Sequence, residues 1–175
     1  MNTKNLLRVS VLGAIGYILM QFEFSVLPSA SFLKVNLCDI PALFAAFAIG
    51  PVAGLLVVVV ENALHLFQTF SGGVGELANV LISGPFVLAA GLVYKKLHTK
   101  KGAFLSLLIG SVVMLIAALL ANRFINLPLY GIPAAQIVPT LLAAILPFNA
   151  IKAVIITILT MLLYKPLSPL LKGKN

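Results

Sequence analysis

Charge is scarce in this sequence: 9% of its 175 residues are Asp, Glu, Lys or Arg, and only four of those are acidic. A soluble domain carries roughly a quarter of its residues as charged side chains, so this composition excludes water as the only solvent. Cysteine is nearly absent. Cys38 stands alone, which excludes an intrachain disulfide and a cysteine-built metal site. No H-E-x-x-H, no G-x-S-x-G and no cluster of aspartates occurs, so the usual signatures of a zinc protease, a serine hydrolase and a metal-dependent transferase are missing. We therefore assign no catalytic residue, no metal and no resident cofactor. An intramembrane enzyme is the weaker alternative, and His65 and His98 fall on opposite predicted sides of the membrane. No internal repeat of convincing length is found, which argues against an inverted-repeat carrier.

What the chain has is apolar sequence: 61% hydrophobic residues and a mean hydropathy of +1.13. Apolar stretches near spanning length run over 6–26, 40–50, 52–69, 76–94, 103–126 and 147–164, separated by Gly, Pro or Lys breaks. The second is short, reading as a tilted or partial helix unless it starts in the 30s. The fold expected is an all-α integral membrane protein, one domain over 1–175, a bundle of six transmembrane helices with an outward-facing ligand pocket. The N-terminal apolar run continues into Gln21, Phe22 and Glu23 without a small-residue cleavage site, so it reads as a retained first helix. Residues 27–34 read as an outer loop. Residues 127–146, with Pro128, Gly131, Pro133 and Pro139, read as a long outer segment over the bundle.

The net charge of +8 is concentrated at span flanks. Lys4 and Arg8 precede the first run, Lys95, Lys96, Lys100 and Lys101 share one break, and Lys165, Lys172 and Lys174 follow the last. By the positive-inside rule these flanks and both termini are cytoplasmic, in a multi-pass protein of the cell membrane. The basic rim fits anionic lipid headgroups, not nucleic acid.

An ionisable group at mid-membrane costs about 2.5 to 3.5 kcal/mol, so the few present face the bundle interior or a watery cavity. Most of them converge on the predicted outer level: Asp39; His65; Glu76 and Asn79; Asn122, Arg123 and Asn126; Asn149 and an apparently unpaired Lys152. Glu61 and Asn62 lie deeper. Asp39 and Glu76 also suit the positive ends of helix dipoles. Asn149 and Lys152, three apart on one helix face, offer an amide and an ammonium to a heterocycle edge carrying carbonyls and ring nitrogens. The turn Ser71-Gly72-Gly73-Val74-Gly75-Glu76 enters a helix, where backbone N–H groups could reach a ligand. Phe32, Phe44, Phe47, Phe67, Phe70, Phe124, Tyr130 and Phe148 lie near the same level, available to pack on a flat ligand. On the first helix Ser10, Gly13, Ala14 and Gly16 are small, with Ser10 and Ala14 on one face that another helix could approach.

Several segments together resemble a known family. They are Phe32-Leu33-Lys34-Val35, Asp39-Ile40-Pro41-Ala42, Gly50-Pro51 with Ala53-Gly54, Gly72 to Asn79, Asn126-Leu127-Pro128-Leu129-Tyr130, and Pro147-Phe148-Asn149 with Ile151-Lys152. The set resembles the substrate-binding S component of energy-coupling factor (ECF) vitamin transporters, in its riboflavin-binding subfamily. The resemblance implies capture of riboflavin, or its phosphate FMN, from outside. It also implies assembly with a transmembrane coupling subunit and two cytoplasmic ATPases, and uptake by toppling of this subunit in the bilayer. The flavin would be cargo, not a cofactor. By the same resemblance Asn149 and Lys152 hold the polar edge of the isoalloxazine ring, while Asp39, Gly75, Glu76 and Asn79 lie near the ligand. Asn126 is a further candidate. Ser10, Gly13 and Ala14 would dock the coupling subunit, with serine in place of the usual first alanine. Glu61 departs from the family pattern, which the resemblance implies to be lysine. An S component for another vitamin or heterocycle is the nearest alternative.

Overall fold

The computed structural model describes residues 2–26, 33–69 and 71–171, with side chains described as far as 166. Phe32, Phe70, Lys172, Lys174 and most of the expected 27–34 loop lie outside the described residues. The described residues are helical almost throughout, in six rods. The first is α1 (Thr3–Met20), where Asn2 Oδ1 caps Asn5 N at 2.9 Å. A two-residue hairpin, β1 (Phe24–Ser25) with β2 (Lys34–Val35), then pairs antiparallel. The first apolar stretch thus ends its helix at Met20, six residues short of the expected end, because Gln21 to Glu23 turn into this hairpin.

The second rod is α2 (Asp39–Ala48), about 15 Å long at 1.5 Å per residue and only half a bilayer core. Nine of its ten residues are buried. It is therefore the partial helix anticipated from its length, held among its neighbours. The third is α3 (Pro51–His65), with proline at its first position, continued by a 3-10 turn Leu66–Gln68. The fourth is α4 (Val74–Leu97). The fifth is α5 (Lys100–Ala121), which passes through a π turn Asn122–Asn126 into the single turn α6 (Leu127–Leu129). The last begins as α7 (Ala134–Thr140), widens at a π turn Leu141–Ile145 and runs on as α8 (Leu146–Leu171).

The 127–146 stretch is therefore not an outer segment lying over the bundle. Only Tyr130 to Pro133 interrupt the helix, with Gly131 at φ +74° making the turn, and residues from Ala134 belong to the sixth rod. Each π turn ends just before a residue–proline pair, Leu127-Pro128 and Leu146-Pro147. A proline lacks an N–H and its ring collides with the carbonyl four residues back. Widening the preceding turn, so that Leu127 N bonds Asn122 O and Leu146 N bonds Leu141 O, lets the helix continue past the proline.

Four of the rods are long and apolar enough to cross a membrane: 51–68, 74–97, 100–129 and 134–166. Their outward faces carry large apolar side chains such as Leu120, Val112 and Leu162, the arrangement lipid favours and water does not. Lys4, Arg8, Lys95, Lys96, Lys100, Lys101 and Lys165 gather at one end of the bundle. Tyr94 Oη and Tyr164 Oη, 2.8 Å apart, fix the ends of α4 and α8 at that level.

Gly54 marks the tightest crossing of α2, α3 and α4. A Cβ there would stand 2.6 Å from both Ala46 Cβ and Val87 Cγ1 and 2.8 Å from Ala42 O. Gly54→Leu is expected to destabilise the bundle by at least the 1–3 kcal/mol typical of overpacking, read as a lower unfolding temperature in detergent. An unchanged temperature would mean that the helices separate there freely.

Candidate functional site

At the lysine-poor end the rods open into a cavity of about 360 Å³, inside the range of about 300 to 1,000 Å³ of small-molecule sites. It is built from the C-terminal ends of α1, α3 and α5, the N-terminal parts of α4 and α8, and the hairpin. Met20, Leu33, Ile82, Ile145 and Phe148 give apolar walls. The polar lining includes Asn36, Asn79, Asn122, Asn149 and Lys152.

The floor is a connected polar chain. Lys152 Nζ lies 2.9 Å from Asp39 Oδ2, 3.2 Å from Asn79 Oδ1 and 3.4 Å from Ser83 Oγ. Ser83 Oγ donates to Asn79 Oδ1 at 3.1 Å, and Asn79 Nδ2 donates to Asn62 Oδ1 at 3.2 Å. Asn62 in turn is tied to Val58 O at 2.7 Å. Lys152 is thus paired, against its isolated look in the sequence, because the fold brings the first turn of α2 against α8. The pair is almost wholly buried, and it leaves an ammonium in the cavity wall held by partners on α2 and α4.

Glu76 is organised differently. Its Oε1 lies 2.7 Å from His65 Nδ1, and its Oε2 accepts from Thr69 Oγ1 at 2.9 Å and Ser71 Oγ at 3.0 Å. Ser71 Oγ also accepts from Gly75 N at 2.9 Å, and Thr69 Oγ1 from Gly73 N at 3.2 Å. The glycine turn, with Gly72 and Gly73 at φ +63° and +91°, therefore spends those backbone donors on its own hydroxyls and does not offer them to a ligand. Glu76→Ala would remove an acceptor of three contacts, each hydrogen bond to a charged group being worth about 1.5–3 kcal/mol. The expected result is faster hydrogen exchange at Gly73 and Gly75 with no change in α5. Unchanged exchange would show that the carboxylate does not order the turn.

Of the ligand contacts that the resemblance implies, Gly75, Glu76, Asn79, Asn149 and Lys152 share the cavity wall, joined by His65, Ser71, Asn122, Tyr130 and Phe148 from the other residues singled out in the sequence. Asn149 Nδ2 donates one of its two N–H groups to Ile145 O at 2.8 Å, so its carbonyl oxygen and one N–H are left to a ligand. Asp39 is fully buried and lies off the wall, acting behind Lys152. Asn126, also fully buried, is likewise off the wall, and neither of its side-chain polar atoms has a partner among the described residues. On α1, Ser10 and Ala14 are exposed on the outer surface, whereas Gly13 faces inward, where a Cβ would meet Val60 Cγ1 at 2.6 Å. Asn36, Glu23 and Ser83 were not singled out. Ser83 was findable, since Glu76, Asn79 and Ser83 form a polar stripe at helical spacing on an otherwise apolar α4.

Residues 4–164 match the family described as ECF transporter, substrate-specific component. The chain is 35% identical to riboflavin transporter RibU of Staphylococcus aureus, over 97% of this chain and 93% of that one. It is 33% identical to riboflavin transporter FmnP of Bacillus subtilis, over 97% and 94%. A solved structure titled "Structure and mechanism of the S component of a bacterial ECF transporter" superposes with a TM-score of 0.85 at 35% identity, covering 99% of this chain and all of that one.

Proposed function

The chain belongs to the family of ECF-transporter substrate-specific components, and from that premise we propose that it captures riboflavin in the cavity at the lysine-poor end of its helix bundle. The observation that carries the reading is the cavity itself. Apolar walls formed by Met20, Leu33, Ile82, Ile145 and Phe148 suit a flat aromatic ring. The Asn149 carbonyl and the Lys152 ammonium lie along one side, where they complement a ring edge bearing N–H and carbonyl groups. Asn36, Asn79 and Asn122 supply further amides to a hydroxylated chain.

The positive-inside rule supports an outward-facing cavity and cytoplasmic termini in the cell membrane, since the lysines mark the opposite end. The bundle carries no nucleotide phosphate loop, so the energy for release comes from partners: a transmembrane coupling subunit and two cytoplasmic ATPases. Ser10 and Ala14 present small side chains on the exposed face of α1, and a close helix–helix contact would form there. Protein purified from cells is expected to be yellow with a flavin absorption band, and the colour should leave on denaturation with one flavin per chain. Colourless protein that also fails to quench added riboflavin fluorescence would refute the ligand while leaving the family assignment intact. FMN belongs in the same titration as the competing ligand.

A further inference from the structure

Beneath the cavity floor lies a group of side chains that do not line the cavity. Glu61 on α3, with Cys38 and Asp39 at the start of α2, shows no exposed surface. The Cys38 Sγ and one oxygen of each carboxylate lie within 4.8 Å of one another. Lys152 supplies one positive charge and is committed to Asp39 at 2.9 Å. Both oxygens of Glu61 lack a hydrogen-bond partner among the described residues, as does Asp39 Oδ1. On the remaining side α1 presents Gly16, whose missing Cβ leaves the space that the Glu61 carboxylate fills.

The charges do not balance if both carboxylates are ionised. One ammonium would face two fully buried anions, and an uncompensated buried carboxylate is so costly that such groups neutralise instead. Asp39 is the better anion. It holds Lys152, and it sits in the first turn of α2, where the helix dipole favours negative charge. Glu61 stands in the C-terminal third of α3, with no cation of its own among the described residues.

We propose that Glu61 carries a bound proton, forming a neutral carboxylic acid that can donate one hydrogen bond to the partnerless Asp39 Oδ1 while Asp39 Oδ2 stays paired with Lys152. The proton is then a fixed part of the binding site's support. Without it, two carboxylates compete for the ammonium that lines the cavity. A metal ion is the poorer occupant, since Lys152 already supplies the cluster with a cation.

The chain has only four acidic side chains and a single aspartate, which makes the proton assignable. In the infrared spectrum of ligand-free, chelator-treated protein at neutral pH, a protonated-carboxyl carbonyl band is expected. It should shift with carbon-13 glutamate but not with carbon-13 aspartate, persist in Glu76→Gln and vanish in Glu61→Gln. No such band, a band that shifts with the aspartate label, or a band that appears only after chelation would overturn the proposal. The last outcome would mean a cation holds the place. If Glu61→Gln does not fold, the labels and Glu76→Gln decide the matter in otherwise intact protein.

Discussion

Replacing Lys152 by alanine is expected to lower riboflavin affinity at least tenfold and to lower the unfolding temperature as well. The two effects have separate causes. Affinity falls because a charge-assisted contact, worth about 1.5–3 kcal/mol, leaves the cavity wall. Stability falls because Asp39, with no exposed surface, loses its one cation among the described residues, and breaking a buried pair from one side costs about 3–5 kcal/mol. Combining Lys152→Ala with Asp39→Asn removes the stranded charge, so the double variant should regain stability without regaining affinity. Thermal unfolding in detergent and a fluorescence titration read the two quantities. Affinity that survives Lys152→Ala would remove this ammonium from the ligand contacts. Stability that survives it would mean Asp39 is not held as an anion.

The second large effect is expected on transport alone. Ser10 and Ala14 are exposed on one face of α1, and Ser10 Oγ is tied back to Leu6 O at 3.1 Å. Neither side chain touches the cavity. A Ser10→Leu/Ala14→Leu variant stays compatible with lipid, yet it prevents another helix from approaching at the distance small residues permit. Uptake by cells that carry the whole transporter should drop at least about tenfold, because loss of one well-packed contact of about 1.4 kcal/mol already changes an equilibrium tenfold. Riboflavin affinity of the isolated protein should stay unchanged. Gly13 belongs to another contact: a larger residue there strikes Val60 and would unsettle α1 against α3, so it is a poor probe of docking. Full uptake by the double-leucine variant would place the partner on another face.

How far the sequence could be read depended on whether a signal was local. The polar pair on α8, Asn149 and Lys152, was visible because three residues place two side chains on one helix face. The half-length of α2 was visible as the short run closed by Gly50-Pro51, and the lysine flanks marked the end opposite the polar cavity. What was hidden depended on distant parts of the chain meeting. Lys152 looked unpaired because its partner Asp39 reaches it only through the packing of α2 against α8. Asn36 drew no attention in the sequence because only the hairpin carries it to the cavity. The prolines between 127 and 147 misled for a different reason. A proline in a helix reads as a break, and the π turns that absorb Pro128 and Pro147 leave no mark in local composition. Those same turns carry Asn122 and Ile145 into the cavity wall, so the feature hardest to foresee is one that shapes the site. The glycine turn misled in the opposite sense: it suggested free backbone donors, and Thr69 and Ser71 take them up.

The most direct test is a titration of ligand-free protein with riboflavin, followed by quenching of flavin fluorescence, in parallel with Lys152→Ala carrying Asp39→Asn to preserve its fold. Saturable quenching at one flavin per chain, at least tenfold weaker in the double variant, is the predicted result. No saturable quenching, or equal affinity in both proteins, would contradict a flavin site built on the floor of this cavity.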